Sequence, residues 1–570
     1  MKINSRISVT QLWLILAACA LLVTLAMRLP SFGHLPSGLN RDEAALGYSA
    51  YSLLKTGADE WGHRWPVSIT SFGDQKLPGY VYTLIPFIAL FDLTTATVRL
   101  PSFIAGLVTV IAGGVIALQL AHSIPWSPKL RVAASFFTML LIAISPWGMH
   151  FSRVAYEAHL AMAFFLTGLC CYWHSVELVH KSRQRVWLLV TAILWSATLL
   201  TYHSYHIFLP LFLITVALID WQKIKKFDLF GLVCAISIGL LTIGLLVSGG
   251  VLQANKVKNT GISPLHTVHL LNQATLFRQA SELPSLVEKL VFNKYGEGLV
   301  KLTQNYLTSF SGTFFFVHGS NHGDHNPGNA NNSNLLVAPF LAIGLIGLRQ
   351  WKQHTKIRTV YAWLFLGLLP ASLTISPLHE IRMSTVFPVM ELLASMGIIF
   401  ILSKIPRTLS ILAVTGILLL LSLASFRTFL QYIYISPNTS VRTTHFHVLA
   451  AALARYQSQN LPLVTQSPSS SPYIWYLFEN KIDPNWLQEN RVTYKPTSEG
   501  FIHIKSIGPI SFEVINWDDI AERSKIQSQI LFLRPTEISD TLRTTEHWQL
   551  LEVLYDENEV VYEVWKVLKL

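Results

Sequence analysis

Charged residues and cysteines are both scarce in this chain. Only 13% of its 570 residues are charged, whereas soluble domains carry roughly 25%, and 51% are apolar. The four cysteines all lie within apolar runs, so they indicate neither a disulfide framework nor a metal site. This composition disfavours a soluble enzyme and favours a protein embedded in a membrane.

Acidic residues are scarce in residues 1–430 in particular. This part contains 31 basic and 16 acidic residues, whereas residues 431–570 contain 12 basic and 16 acidic residues. The basic residues lie in short loops between apolar runs, which is typical of a polytopic membrane protein rather than of a nucleic-acid binder. The sequence also lacks a glycine-rich phosphate loop, so nothing in it indicates a nucleotide site.

Eleven apolar runs in residues 1–430 predict membrane-spanning helices, which need about 20 residues each. They lie near residues 9–27, 99–121, 132–149, 158–176, 186–203, 206–220, 229–250, 335–349, 359–375, 383–402 and 408–430. With a cytoplasmic N-terminus, the basic loops fall in the cytoplasm if the proline-containing segment Leu77–Phe91 is interfacial or re-entrant. The odd number of spans then places loops 28–98 and 251–334, and the C-terminal tail, on the outer face.

The predicted fold is a polytopic α-helical membrane protein of a bacterial-type inner or plasma membrane. It has about 11 transmembrane helices in residues 1–430 and a small C-terminal α/β domain in residues 431–570 on the outer face. In this tail a helix is predicted near Phe446–Gln457. The predicted strands are Leu461–Thr465, Tyr473–Phe478, Phe512–Ile515 and Ile530–Leu533, followed by a hairpin of Leu550–Leu554 and Val560–Trp565.

Acids near the ends of apolar helices are candidates for function, because ionisable groups close to a bilayer cost free energy. Asp42 and Glu43 meet this condition, since they begin an amphipathic stretch soon after the first apolar run. Both could also be plain helix caps, because carboxylates in a first turn interact favourably with the helix dipole. Glu43 can serve as the cap, which would leave Asp42 able to face a cleft.

Lys76 precedes the proline-broken apolar segment that begins with Leu77-Pro78-Gly79-Tyr80. An ammonium group at that depth is well placed to pair with the phosphate of a lipid carrier. The alternative is a lysine that reaches the lipid head groups and does nothing more.

Two further predicted outer loops carry charged pairs. Arg153 and Glu157 are four residues apart, a spacing that also predicts an ordinary salt bridge. His379 and Arg382 precede a later apolar helix, where phosphate binding competes with interfacial anchoring.

The segment from His318 to His325 contains three histidines and Asp324, which makes a metal site an alternative. Its spacing is not that of a helical zinc motif, and its glycine and asparagine residues predict an irregular loop. Glu391 lies in the middle of the tenth apolar run, so we expect it to face protein rather than lipid.

Taken in order, these motifs resemble a known family. Asp42-Glu43, Lys76 with its following Leu-Pro-Gly-Tyr, Val98-Arg99-Leu100-Pro101-Ser102, and Ser145-Pro146 with Glu157 resemble the GT-C superfamily of polyprenyl-phosphate-sugar glycosyltransferases. The likeness is to the branch with bacterial aminoarabinose transferases and protein O-mannosyltransferases, and it covers residues 8–160 and, more loosely, 300–400. That branch carries a basic residue three positions after its catalytic aspartate, where this chain has Ala45. Phosphate contact could therefore shift to Arg153, Arg382 or Arg41.

The resemblance implies a cell-envelope enzyme that transfers a hexose or pentose from a polyprenyl-phosphate carrier to a lipid, glycan or protein acceptor on the outer face. It implies Asp42 as the catalytic aspartate, Lys76 as the donor-phosphate contact and Glu157 as a second acid. The remaining candidates are Glu43 for catalysis and Arg153, His379 and Arg382 for phosphate binding. A carboxylate base and a few cations suffice for this chemistry, so we expect no cofactor, with a divalent metal as the alternative.

Two other functions would also use many helices and charges at membrane depth. A transporter or flippase of lipid-linked sugars would show internal repeats and polar residues near the bilayer midplane, whereas the polar groups here are predicted at one face. In a non-catalytic scaffold, no common function would require these charged residues to lie on the same side of the membrane: Asp42, Lys76, Glu157 and Arg382.

Overall fold

The structure, a computed structural model, divides by packing into two units. It describes residues 8–72, 74–251, 263–265, 267–320, 323–326, 331–435, 444–459, 461–465, 471–497, 501–556 and 558–569. The helical unit comprises the described residues of Met1–Phe32, Pro101–Ser248 and Lys258–Ser440. The mixed unit comprises those of Gly33–Leu100, Gly249–Val257 and Val441–Leu570. Residues 33–100 thus pack with the C-terminal tail. The predicted division into a transmembrane catalytic domain (residues 1–430) and an extracytoplasmic domain (residues 431–570) stays a prediction.

Helices dominate the chain up to residue 435. They are Val9–Arg28 (α1), Arg41–Thr56 (α2), Pro78–Phe91 (α3), Thr95–Ala121 (α4), Pro128–Ile144, Pro146–Phe151, Glu157–Glu177, Lys181–Leu199, Tyr205–Ile219, Trp221–Ile224, Leu229–Ser248, Thr267–Gln279, Ser285–Val291, Lys294–Thr308, Val337–Leu348, Thr355–Gly367, Leu369–Ser372, Val386–Leu402 and Arg407–Leu430. Short π-helical turns occupy Phe314–His318 and Gln431–Ile435, and a 3₁₀ turn occupies Arg349–Trp351.

The number of membrane spans differs from the prediction. Each of the eleven predicted runs overlaps one helix or two, but four helices in the described part of the chain are long and apolar enough to cross a membrane. These four are Val9–Arg28, Thr95–Ala121, Leu229–Ser248 and Thr408–Ile435. The others are shorter or less apolar, so the count of eleven is not confirmed. The segment predicted to be interfacial forms α3, an apolar helix of 14 residues that begins at Pro78 and contains Pro86.

Close helix packing in the helical unit depends on two glycines. A Cβ atom at Gly344 would lie 1.9 Å from the carbonyl oxygen of Leu393, and one at Gly397 would lie 2.0 Å from that of Phe340. Glycine at both positions lets Val337–Leu348 and Val386–Leu402 approach backbone to backbone, as small residues do between membrane helices.

The mixed unit contains a small hairpin and a larger sheet. The hairpin pairs β1 (Ile69–Ser71) with β2 (Asp74–Lys76) in antiparallel register, with Ile69 opposite Lys76. The remaining strands are Leu463–Thr465 (β3), Arg491–Thr493 (β4), Ile504–Ile507 (β5), Ile510–Phe512 (β6), Gln529–Leu533 (β7), Trp548–Asp556 (β8) and Glu559–Val567 (β9). Their order in the sheet is β4-β5-β6-β3-β7-β9-β8, and β3 is parallel to both of its neighbours. The helices of the tail are His445–Gln457, Tyr473–Glu479, Pro484–Asn490, Trp517–Ser524 and Asp540–Arg543.

The tail has the helix and the final hairpin that its sequence predicts. The predicted strand at Tyr473–Phe478 is wrong, because these residues form part of the helix Tyr473–Glu479. All six side chains of the segment are buried, so the run carries no alternation of apolar and polar residues. A short, fully buried apolar run cannot be assigned to a strand or a helix from periodicity alone.

Candidate active site

The first turn of α2 gives its two carboxylates different surroundings. The Asn40 side chain accepts a hydrogen bond of 2.8 Å from the Glu43 N–H, and the Glu43 carboxylate accepts one of 3.1 Å from the Asn40 N–H. This reciprocal capping box satisfies two N–H groups that a helix start otherwise leaves unpaired. Glu43 is fully buried, whereas 52% of the Asp42 side chain is exposed. Glu43 thus takes part in capping the helix together with the N-cap residue Asn40, and its predicted role in catalysis stays a prediction.

Glu43 also forms a buried ion pair with Arg99. The Nε of Arg99 donates to Oε1 of Glu43 at 2.9 Å and its Nη2 donates to Oε2 at 3.3 Å. The same guanidinium donates to the backbone carbonyls of Gly33, Pro36 and Gly38. Arg99 therefore fixes the start of α2 to the segment that precedes it and to α4, which carries Arg99 itself.

Asp42 and Lys76 meet at the exposed side of this arrangement. Lys76 is the last residue of β2, and its Nζ lies 2.7 Å from Oδ1 of Asp42. The Lys76 side chain is only 7% exposed, so its ammonium group reaches the more exposed carboxylate from a largely buried position. Two residues that the sequence assigns to catalysis and phosphate binding, 34 positions apart, thus form one ion pair, here called the Asp42–Lys76 site.

An aromatic ring lies against the same cations. The Nζ of Lys76 is 5.3 Å from the ring centroid of Phe72, and the Cζ of Arg41 is 4.4 Å from it. Arg41 immediately precedes Asp42, so this ring, two cations and one carboxylate occupy a small part of the mixed unit.

A buried pair of acids lies in the loop that connects α2 to the hairpin. Asp59 organises this loop by accepting hydrogen bonds from the backbone N–H groups of Trp61, His63 and Thr70. Glu60 accepts hydrogen bonds from the Trp61 indole at 3.0 Å and the Tyr473 hydroxyl at 3.1 Å. Burial raises the pKa of Glu60 to about 7, and the charge of Asp59 adds a smaller increase.

The raised pKa of Glu60 predicts a pH-dependent stability. Glu60 is ionised above about pH 4.5 in the unfolded chain but only above about pH 7 in the folded protein. The contribution of protonated Glu60 to the free energy of unfolding is therefore complete below about pH 4.5 and is lost as the pH rises through about 7. Glutamine does not ionise, so Glu60→Gln should keep about 3 kcal/mol of the free energy of unfolding that wild type loses as the pH rises. The Tm of the variant minus that of wild type should therefore increase from about pH 5 to about pH 8. A constant difference across this range would contradict the assignment, and the exposed Glu522→Gln serves as the control.

The four other predicted site residues belong to the helical unit. The buried Arg153 donates to the carbonyl of Met27 at 3.0 Å, and its Cζ lies 5.2 Å from the ring centroid of Tyr432. Glu157 is the first residue of the helix Glu157–Glu177, where a carboxylate interacts favourably with the helix dipole. Their predicted roles in phosphate binding and catalysis stay predictions.

His379 and Arg382 have separate contacts in the helical unit. The ring centroids of His379 and His325 lie 4.7 Å apart. Arg382 donates a hydrogen bond from Nη1 to the Thr374 hydroxyl at 2.9 Å. Between them in the chain, the fully buried Glu380 accepts hydrogen bonds of 2.6 Å from both the N–H and the hydroxyl of Ser320. The segment thus holds a buried acid as well as the two predicted phosphate-binding residues.

The histidine-rich loop contributes a carbonyl oxygen to a polar cluster. The backbone oxygen of Asp324 accepts hydrogen bonds from Nε2 of His150 at 3.0 Å and from the Tyr156 hydroxyl at 2.5 Å. Among the described residues, no group of three or more His, Cys, Asp or Glu side chains is arranged to hold a metal ion. His322, one of the three histidines considered for a metal, lies outside the described residues.

Glu391 faces protein, as expected. It is almost fully buried in the helix Val386–Leu402 and accepts a hydrogen bond of 2.7 Å from the Ser333 hydroxyl. A hydrogen bond of this kind offsets part of the cost of burying a carboxyl group.

The comparisons identify the fold. No family model and no curated protein sequence matches the chain. The crystal structure of ArnT from Cupriavidus metallidurans in the apo state matches with 14% identity and a TM-score of 0.53, over 98% of both chains. The same enzyme bound to undecaprenyl phosphate matches with 13% identity and a TM-score of 0.54, over 97% of this chain and 98% of that one.

A third solved structure comes from an archaeal enzyme. The oligosaccharyltransferase AglB from Archaeoglobus fulgidus, in complex with an inhibitory peptide and a dolichol-phosphate, matches with 13% identity and a TM-score of 0.51. The match covers 82% of this chain and 63% of AglB. ArnT and AglB are both GT-C proteins, so the chain has the GT-C fold that its sequence motifs indicate.

Proposed function

We propose that this protein is a membrane glycosyltransferase that transfers a hexose or pentose from a polyprenyl-phosphate carrier to an acceptor on the outer face of the membrane. The observation that carries the proposal is the 2.7 Å ion pair of Asp42 and Lys76 within a GT-C fold. The acceptor is a lipid, a glycan or a protein. In the proposed topology, the N-terminus is cytoplasmic and the C-terminal domain is extracytoplasmic.

The pair supplies the two functions that such a transfer requires. The acceptor hydroxyl gives its proton to the Asp42 carboxylate while its oxygen attacks the anomeric carbon of the sugar. The bond from that carbon to the phosphate oxygen breaks, and the polyprenyl phosphate leaves with its added charge beside the Lys76 ammonium. When donor binds, Lys76 moves its interaction from Asp42 to the phosphate, and the carboxylate becomes available to take the proton.

The exposure of the two side chains supports this division of roles. An acceptor can reach the half-exposed Asp42, whereas the largely buried Lys76 keeps its ammonium group poorly screened by water. Arg153, His379 and Arg382 are proposed as further phosphate contacts and Glu157 as a second acid. The proposed step uses no cofactor, and a divalent metal remains the alternative.

Replacing Lys76 tests the phosphate-binding role. Because a hydrogen bond to a charged group contributes about 1.5–3 kcal/mol, we expect Lys76→Gln to raise the donor KM about tenfold to a hundredfold. The measurement is the initial rate of sugar transfer by purified protein at several concentrations of a polyprenyl-phosphate-linked donor. Lys76→Arg, which keeps the charge, should recover part of the affinity. A donor KM unchanged in Lys76→Gln would remove Lys76 from the phosphate site.

A further inference from the structure

We propose that Phe72 is a positioning residue of the Asp42–Lys76 site. Its ring holds the Lys76 ammonium and the Arg41 guanidinium in the places from which they bind the donor phosphate. This inference rests on the proposed function and adds a residue that touches neither the sugar nor the reacting atoms.

The ring attracts both cations through its electron-rich face. The Nζ of Lys76 and the Cζ of Arg41 lie 5.3 Å and 4.4 Å from its centroid, within the range of about 6 Å where cation–π attraction operates. Phe72 is only 1% exposed. Because water has little access to the ring, the attraction is stronger than at an exposed site.

The backbone shows that the position of this ring is held by its surroundings. Phe72 has a φ of +40°, a left-handed conformation that is costly for a bulky side chain. Its N–H donates to the Tyr473 hydroxyl at 3.2 Å, and its carbonyl accepts from the Ile502 N–H at 3.3 Å. The Tyr473 hydroxyl is in turn hydrogen-bonded to the buried Glu60. Contacts on both sides of the peptide thus keep an aromatic side chain where glycine would be unstrained.

The ring and the Asp42 carboxylate both contact the Lys76 ammonium. Without the ring, the ammonium keeps the Asp42 carboxylate as a partner. It loses the cation–π contact that is proposed to hold it where it binds the donor phosphate. Donor affinity should therefore fall. The chemical step should change less, because Asp42 is untouched and the Lys76 ammonium still lies beside the phosphate of the bound donor. A side chain that acted only by filling space would not separate these two quantities.

The test compares Phe72→Leu, which keeps an apolar side chain without a π face, with Phe72→Tyr, which keeps the ring. Both are purified as full-length protein in detergent and assayed for transfer from a polyprenyl-phosphate-linked sugar. We expect Phe72→Leu to raise the donor KM about fivefold to thirtyfold with kcat within about threefold of wild type, and Phe72→Tyr to stay within about twofold in both. The Kd for polyprenyl phosphate alone should rise in parallel with KM.

A double variant tests whether Phe72 acts through Arg41. If it does, the effects of Phe72→Leu and Arg41→Gln on the donor KM will be less than additive, because each removes the same contact. If Phe72→Leu does not yield folded protein, Phe72→Met, which is flexible and lacks a ring, replaces it and carries the same expectation.

Several outcomes would overturn the inference. A wild-type KM and Kd in the folded leucine or methionine variant would show that the ring only packs. A fall in kcat with an unchanged KM would show that the ring does not position the phosphate-binding cations. Fully additive effects with Arg41→Gln would exclude Arg41 as an intermediary. A wild-type protein that binds polyprenyl phosphate but transfers no sugar would contradict the proposed function, whereas intact transfer with no Phe72 effect would contradict only this inference.

Discussion

Replacing Asp42 by asparagine is expected to lower the kcat of sugar transfer about a hundredfold to ten-thousandfold, because the amide cannot take the proton of the acceptor hydroxyl. The side chain keeps its shape, and Lys76 can still bind the donor phosphate, so the Kd for polyprenyl phosphate should stay within about threefold of wild type. The measurement combines initial transfer rates at saturating donor with a direct binding titration.

The control for this prediction is Asp519→Asn. Asp519 is an exposed acid in the helix Trp517–Ser524, and its replacement should leave both quantities unchanged. Equal kcat values for wild type and Asp42→Asn would exclude Asp42 as the base. A loss of donor binding equal to the loss of rate would instead assign Asp42 to binding.

Replacing Glu43 by glutamine is expected to lower the free energy of unfolding by about 3–5 kcal/mol. Glu43 and Arg99 are both fully buried, so a neutral partner leaves the guanidinium charge uncompensated away from water. Thermal unfolding of the purified variant in detergent, followed by circular dichroism, measures the effect as a lowered Tm.

Asp42→Asn provides the matched control for Glu43→Gln, one residue away. Asp42 is half exposed, whereas Glu43 is fully buried, so Asp42→Asn should lower the Tm much less than Glu43→Gln does. Arg99→Met combined with Glu43→Gln should destabilise by less than the two single changes together. A Tm for Glu43→Gln equal to that of Asp42→Asn would contradict a structural role for the buried pair.

In the mixed unit, the sequence predicts the residues proposed for catalysis and phosphate binding better than the residues that hold them in place. Asp42 and Lys76 are recognisable because ionisable groups beside apolar helices are few, and Glu43 is recognisable as a cap from its place in a first turn. Arg99 appears in the sequence only within a family motif. Its partners at Gly33, Pro36 and Gly38 are carbonyl groups, which leave no mark on a pattern of side chains.

Phe72 and Glu60 could not be found from the sequence. A phenylalanine in an apolar chain is ordinary, and its contact with two cations depends on where the tertiary fold places Arg41 and Lys76. Glu60 looks like a solvated loop acid until the fold buries it against Tyr473, which is more than 400 residues away along the chain. Such long-range contacts are determined by the tertiary fold and not by local residue patterns.

For the membrane-spanning part of the chain, the sequence predicts the positions of helices better than the number of spans. Runs of apolar residues predict where helices lie, since each predicted run overlaps one helix or two. The number of spans is harder, because Tyr205–Ile219 and Val386–Leu402 have 15 and 17 residues. A buried helix of a membrane protein and a short spanning helix have the same composition, so apolar runs alone do not separate them.

Sugar transfer is best separated from transport in detergent solution, where no membrane divides two compartments and transport cannot be observed. Purified wild-type protein is incubated with a panel of polyprenyl-phosphate-linked radiolabelled sugars and candidate lipid, glycan and peptide acceptors. We expect free polyprenyl phosphate to appear in equal amount with a glycosylated acceptor, and Asp42→Asn to lower the rate of both by the same factor of about a hundred or more. Binding of the donor with no cleavage of its sugar–phosphate bond, for any acceptor in the panel, would exclude a transferase and favour transport of the lipid-linked sugar.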